Sequence, residues 1–378
     1  MTQLYEVLGG SFPADYAASR RAFLQLCSTH GAQTASFEHP ARGPGGEPLA
    51  TDVARFGPEE AESLLIVSSG THGIEGLCAG GIQAALLKLG VQTERPDGVA
   101  LVFVHALNPY GFAYLRRTNE DNVDLNRNFL DHSGSYPDDA VYSEVHPLLV
   151  PEEWHGPPRA EAEAALACYV AERGARALQA AVSRGQYSHP DGLFYGGRKP
   201  AWSNDVWRTI LRRFAGRARR LAAIDLHSGL GARGACELIS GAIAGSREHR
   251  LARLWFGEDL VFPGSTSTAP AAQGFLGQTL PEVLPDVAGA LVVAEFGTVD
   301  FATILEILRA DNWLHARGGG RASPLWNEIK REMRAAFVGE DVEWQAAVVE
   351  RALTIVRNAL AGLAQFERLG SRDDRRDL

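Results

Sequence analysis

Four short runs of the chain are apolar almost without interruption: 63–68, 99–105, 221–226 and 290–295. Each closes on small or polar residues. Unbroken runs of Val, Ile and Leu, with no polar residue at every second position, suit strands buried on both faces of a largely parallel sheet. Between them the apolar spacing turns helical. In 14–29, Tyr16, Phe23, Leu24 and Cys27 recur on one face. Further helices are predicted at 80–89, at 159–183 after Pro157 and Pro158, at 202–220 and at 342–369. Strands alternating with helices predict an α/β fold. The expected architecture is a single domain over residues 1–369, with a mixed, mainly parallel sheet flanked by helices on both faces. No repeat of fixed period interrupts that reading. Segments 39–48 and 130–158, rich in Gly, Pro and other turn residues, predict loops, the second a cleft wall. Residues 370–378 read as a charged flexible tail.

Composition narrows the class. The 378 residues are 45% hydrophobic and 22% charged, as expected of a soluble chain with a sizeable core. The net charge of -9 argues against a nucleic-acid partner, which needs a basic face. Lys88, Lys199 and Lys330 are the only lysines, so almost all positive charge is guanidinium. That removes most routes to Schiff-base chemistry and to a phosphate-loop lysine. Cys27, Cys78, Cys168 and Cys236 are scattered without a C-x-x-C pair, which predicts free buried thiols in a reducing cytosol. The first residues lack a basic-then-apolar leader, and no apolar run approaches the ~20 residues of a membrane span. The expectation is a cytoplasmic protein with no membrane partner; a homo-oligomer is compatible with the sequence.

The polar residues at the strand ends carry the chemistry. The strand ending near Ser68 runs into Ser-Gly-Thr-His-Gly-Ile-Glu-Gly, with His72 and Glu75. The strand at 221–226 runs into His227, and the strand at 290–295 ends on Glu295. In open α/β sheets, ligands bind at the carboxyl ends of the strands. Two imidazoles and one carboxylate make a catalytic zinc set that leaves a position for water. Glu295 is then free to act as general base. Taken singly these signals are weak: H-x-x-E arises often by chance, His227 reads as a hydrogen-bonded strand-end histidine, and Glu295 as an acid paired with arginine. Their strength is that all four fall at one sheet edge. Asn126 and Arg127, in Val-Asp-Leu-Asn-Arg-Asn-Phe, offer an anchor for a substrate carboxylate, because a guanidinium presents a planar fork of donors.

The order His-Gly-Ile-Glu, Asn-Pro-Tyr-Gly, Arg-Arg-Thr, Val-Asp-Leu-Asn-Arg-Asn-Phe, Asp-Leu-His-Ser and Glu-Phe-Gly-Thr resembles the zinc carboxypeptidase superfamily, over residues 72 to 298. That superfamily also holds the aspartoacylase and succinylglutamate desuccinylase deacylases. The N-terminal stretch resembles a bacterial branch of it with poorly defined substrates. The resemblance implies one zinc ion held by His72, Glu75 and His227, with Glu295 as general base. It implies that Asn126 and Arg127 bind the substrate carboxylate and that Asp124 orients the first histidine. Arg116 best matches the arginine that stabilises the oxyanion; Arg117 is the adjacent alternative. The implied activity is hydrolysis of an amide in a small peptide or N-acyl amino acid. One departure weakens carboxypeptidase action and leaves room for a deacylase: the family's mobile tyrosine is absent from 270–280, where Phe275 cannot donate a hydrogen bond.

Rival signals are thin. Gly229, Gly231 and Gly234 fit G-x-G-x-x-G, but a strand-like run follows them, not a helix. Neither G-x-S-x-G nor H-E-x-x-H occurs. His105 reads as structural, and His132, His146 and His155 as loop residues near substrate. A non-catalytic metal or ligand binder on the same fold is the alternative, and the free base Glu295 argues against it.

Overall fold

A computed structural model describes residues 2–269 and 271–369; the tail expected at 370–378 lies outside them. Its sheet has eight strands: β1 (Gln33–Arg42), β2 (Pro48–Phe56), β3 (Ser63–Ser69), β4 (Val99–His105), β5 (Arg220–Leu230), β6 (Cys236–Ser240), β7 (Leu260–Val261) and β8 (Ala288–Val299). Their order is β1-β2-β4-β3-β5-β8-β6-β7. The middle four, β4-β3-β5-β8, are mutually parallel, and they are the four apolar runs of the sequence. β2 pairs antiparallel with β1 and β4, and β6 antiparallel with β8. The sheet is therefore mixed and mainly parallel.

Helices cover both faces, which is why the central strands show no polar alternation. Leu65, Val67, Leu101 and Phe103 belong to one core cluster, with residues of the helices Gly76–Lys88, Arg247–Phe256 and Val342–Leu369. Their neighbours Leu64, Ile66, Val102 and Val104 belong to a second, with Trp207 and Leu280. Successive side chains of a strand point to opposite faces, so an apolar run feeds two cores at once. A third cluster joins Tyr142, Leu178, Leu305 and Met333 of further helices.

Several boundaries differ from expectation. The first long helix begins at Tyr16, because Asp15 caps it by accepting the Ala18 N–H at 2.8 Å. The 159–183 region is two helices, Pro157–Arg173 and Ala175–Ser183, broken at Gly174. The helix at Trp202–Ile210 continues in a wider turn to Ala215 and stops there. Segment 39–48 is no loop: it is the end of β1, a turn and the start of β2. The 130–158 loop contains the helix Ala140–Leu149. Cys27 and Cys78 are buried free thiols as expected, but Cys168 is exposed. No helix among the described residues is long and apolar enough to cross a membrane.

Candidate active site

The carboxyl ends of β3, β5 and β8 meet at one edge of the sheet. After β3 the chain turns through Gly70, whose φ of 68° favours glycine, and reaches His72 and a single 3-10 turn, Gly73–Glu75. A Cβ on Gly73 would stand 2.0 Å from the Gly111 carbonyl carbon, so only glycine lets this turn lie against the next loop. The Gly73 and Ile74 N–H groups donate to the Arg117 and Arg116 carbonyls at 3.1 and 2.8 Å. On β5, His227 stands beside Glu295 of β8 in register. Topology thus delivers His72, Glu75, His227 and Glu295 to one cavity, together with Asn126, Arg127 and Arg117.

Three atoms converge there. His72 Nδ1 lies 2.9 Å and His227 Nδ1 2.8 Å from the Glu75 carboxylate oxygens, and the two Nδ1 atoms are 3.1 Å apart. Their far sides are held by carboxylates. His72 Nε2 is 3.2 Å from Asp124 Oδ1, and His227 Nε2 is 2.6 Å from Asp225 Oδ2. An Nε2–H donating to an aspartate leaves Nδ1 as a lone pair. Two such lone pairs and a carboxylate oxygen then face one point, which suits a cation. The donor set fits a zinc ion, with His72, Glu75 and His227 as its ligands. The same field acts on protons. Burial raises the Glu75 carboxyl, but the His72 and His227 imidazoles outweigh it and hold it far below its ordinary range. Burial disfavours charge on His227, yet Asp225 and Glu75 raise it well above its usual value.

Asp124 also accepts from Arg117 Nε at 2.9 Å and the Asn126 N–H at 2.9 Å. Burial would raise its carboxyl; Arg117 and His72 hold it well below the usual range. Asp225 is a site residue that motif reading missed. It lies two positions before His227 on β5, hence on the same face, and its other oxygen accepts from Ser68 and Thr71 hydroxyls at 2.7 and 2.9 Å. That i, i+2 spacing was the available signal.

Glu295 stands outside the cluster of His72, Glu75 and His227. Its Oε1 accepts the Leu230 N–H at 3.2 Å. Burial, with the Glu75 charge next, pushes its carboxyl up to about 8.

The arginines need a correction. Arg116, expected as the better oxyanion match, turns away from the cavity. Its Nη2 donates to Asn122 Oδ1 at 2.8 Å, and its Nε lies 3.4 Å from Asp311 Oδ2, beside the buried Lys330. Arg117 is the one that lines the cavity, 3.4 Å from Glu75 Oε1. Arg127 is buried there too, and its donors go to the Ser183 and Asn126 backbone carbonyls, not to a carboxylate. Phe194, which no motif signalled, lies under both guanidiniums at 5.1 and 5.5 Å, with a positive φ of 52°. Asn126 accepts the Leu276 N–H at 3.0 Å, which ties it to the segment carrying Phe275.

The remaining histidines stand apart from the cavity. His105 is buried between Gln83 and Ser19 and stacked on Phe23, and burial pushes it down to about 4. His132, His146 and His155, for which contact with substrate was the minority reading, do not line the cavity. Gly229 lies near the end of β5, and Gly231 and Gly234 in the turn that leads to β6, with positive φ at each.

A family model described as a protein of unknown function (DUF2817) matches residues 12–351. Among curated proteins none matches the chain. Similar solved structures include carboxypeptidase A from Helicoverpa armigera, at 12% identity over 86% of this chain and 75% of that one, TM-score 0.45. They also include an aspartoacylase family protein from Mesorhizobium loti, at 17% identity over 76% and 67%, TM-score 0.37. A third is the succinylglutamate desuccinylase from Chromobacterium violaceum, at 15% identity over 85% and 77%, TM-score 0.36.

Proposed function

The chain belongs to the family of unknown function DUF2817, and on that premise we propose from its site that it is a zinc-dependent hydrolase of an amide bond in a small peptide or N-acyl amino acid. The observation that carries this reading is the convergence of His72 Nδ1, His227 Nδ1 and Glu75 on one point, beside an acid, Glu295, that stays out of the cluster. A metal binder without chemistry has no use for that unligated acid.

His72, Glu75 and His227 would hold the zinc, which would supply Lewis acidity and make water the easier to deprotonate. The chain's own residues do the rest. Glu295 takes a proton from the attacking water and returns it to the leaving amine. Arg117 points its guanidinium into the cavity and meets the negative charge that develops on the carbonyl oxygen. Arg127, a buried cation served only by backbone carbonyls, binds the free carboxylate of the leaving amino acid. Asp124 and Asp225 fix the two imidazole tautomers.

The test is metal content with turnover. Purified protein should carry about one zinc per chain and cleave N-acyl amino acids. The Glu295→Gln protein should keep the zinc and lose turnover. A wild type without stoichiometric metal refutes the scheme. A fully active Glu295→Gln variant refutes the role of Glu295.

A further inference from the structure

A second cluster of donors lies outside the cavity. Ser143 and His146 are three apart on the helix Ala140–Leu149 and share one face. Opposite them, the loop after Gln186 brings in His189 and Asp191. His146 Nε2 is 3.3 Å from Asp191 Oδ1, and His189 Nε2 is 2.8 Å from Ser143 Oγ. The two imidazoles are stacked, with ring centroids 4.1 Å apart. His146, His189 and Asp191 each bring one donor atom within 4.8 Å of the other two, and all three residues are half-buried. None of them lines the cavity that holds Glu295.

The backbone lays the loop against the helix. The Tyr187 and Ser188 N–H groups donate to Asp139 Oδ2 at 2.8 and 3.0 Å, and the Asn312 side chain donates to the Asp191 carbonyl at 2.7 Å. Gly192 permits the close approach, since a Cβ there would stand 2.5 Å from the Tyr142 hydroxyl and 2.9 Å from His146 Nδ1. That Nδ1 is buried and has no hydrogen-bond partner among the described residues, while Nε2 faces the carboxylate. Burial lowers the His146 pKa against the pull of Asp191, which favours the neutral imidazole, the form that binds a metal. Arg317 lies 3.6 Å from Asp191 Oδ2 and leaves Oδ1 to His146.

We propose that His146, His189 and Asp191 form a second metal site, for a divalent cation of the zinc class, that clasps the helix Ala140–Leu149 to the loop. Two imidazoles and a carboxylate favour zinc over magnesium or calcium, which prefer oxygen donors. The 3.3 Å between His146 Nε2 and Asp191 Oδ1 already suits bonds of about 2.0–2.2 Å to one tetrahedral ion. His189 closes the remaining gap by turning from the Ser143 hydroxyl, and water completes the set. The donors are half-exposed, so the site holds its ion less tightly than the buried cavity set and fills when zinc is added. Its effect reaches the cavity along the chain. Phe194, just beyond Asp191, lies under Arg117 and Arg127, and a filled clasp fixes the loop that presents this ring.

The test counts zinc in metal-free protein dialysed against micromolar zinc and follows hydrogen exchange in residues 186–195. Wild type should bind about two ions per chain, and His72→Ala, His189→Ala and Asp191→Asn about one each. The ion held by His72→Ala should slow exchange in 186–195 about tenfold; the ion held by His189→Ala should leave it unchanged. If wild type holds one ion, which His189→Ala keeps and His72→Ala loses, the second site is overturned and the cavity site stands. If wild type holds one ion, which His72→Ala keeps and His189→Ala loses, the second site stands and the cavity reading fails. Two ions in the His189→Ala protein, or a second ion that leaves exchange in 186–195 unchanged, overturn the clasp. If wild type binds no zinc, both readings fail. Asp191→Asn keeps the shape of the residue and decides should His189→Ala fail to fold.

Discussion

Glu295→Gln separates the price of a buried acid from its use. In the metal-free protein the Glu295 carboxyl is pushed from 4.5 up to about 8, chiefly by burial and then by Glu75. A carboxyl raised in the folded state contributes stability that is whole below its unfolded pKa. That contribution is lost as pH rises through the folded value. With about 1.4 kcal/mol per pKa unit, a rise of about 3.5 units removes roughly 4 kcal/mol of stability between pH 5 and 8.5. Glutamine has nearly the same shape and does not titrate. Urea melts of metal-free wild type and Glu295→Gln, run from pH 5 to 9, therefore give curves whose difference changes with pH by that amount in favour of the variant. Titrating groups away from Glu295 are common to both proteins and drop out of the difference. Parallel curves would refute the claim that Glu295 is buried as a neutral acid. The same substitution should lower kcat by at least about 10²-fold in zinc-loaded protein, the usual worth of a positioned base. Added zinc should move the wild-type titration to lower pH, because a nearby dication favours the carboxylate.

The other predictions concern the groups around the metal point. Asp225→Asn keeps the shape of the residue that holds His227 Nε2 but loses its charge; zinc affinity, measured by competition with a chelator dye, should fall about 10- to 100-fold. An unchanged affinity would mean that Asp225 merely packs. Arg117→Ala should cost about 10²- to 10³-fold in kcat, and stability as well, because it takes the Nε donor away from buried Asp124. Arg116→Ala should spare kcat and cost about 3 kcal/mol or more of stability, by leaving Asp311 with one cation fewer in a buried cluster. If Arg116→Ala abolishes turnover in a stable protein, the assignment of the two arginines is backwards.

Much of this architecture was legible because it follows from burial. The four runs that read as strands are the four parallel central strands, where both faces meet helices and only apolar residues fit. The outer strands were not. β1 reads Gln-Thr-Ala-Ser-Phe-Glu-His-Pro-Ala-Arg, an edge strand mostly open to solvent, and nothing apolar marks it. The helices Phe301–Ala316 and Trp326–Phe337 were missed as well. The first is apolar round most of its surface, with Arg309 and Asp311 buried among its core residues, so no clean polar face announces it.

Adjacent arginines show where sequence reasoning stops. Motif order brings Arg116 and Arg117 to the right loop and favours Arg116, the wrong one of the pair, because consecutive side chains of an irregular segment can point anywhere. The backbone decides. Leu115, just before them, adopts a φ of 50°, a conformation that non-glycine residues seldom take. The Arg116 and Arg117 carbonyls are pinned to Ile74 and Gly73 in the turn that carries His72 and Glu75. With both carbonyls fixed, one side chain reaches back to Asp311 and the other enters the cavity, 3.4 Å from Glu75. One loop therefore does two jobs. Its backbone braces the His72–Glu75 turn, and its second arginine faces the point where that turn's donors converge. A change that shifts this loop should disturb metal binding and oxyanion stabilisation together, even when neither a zinc ligand nor Arg117 is touched.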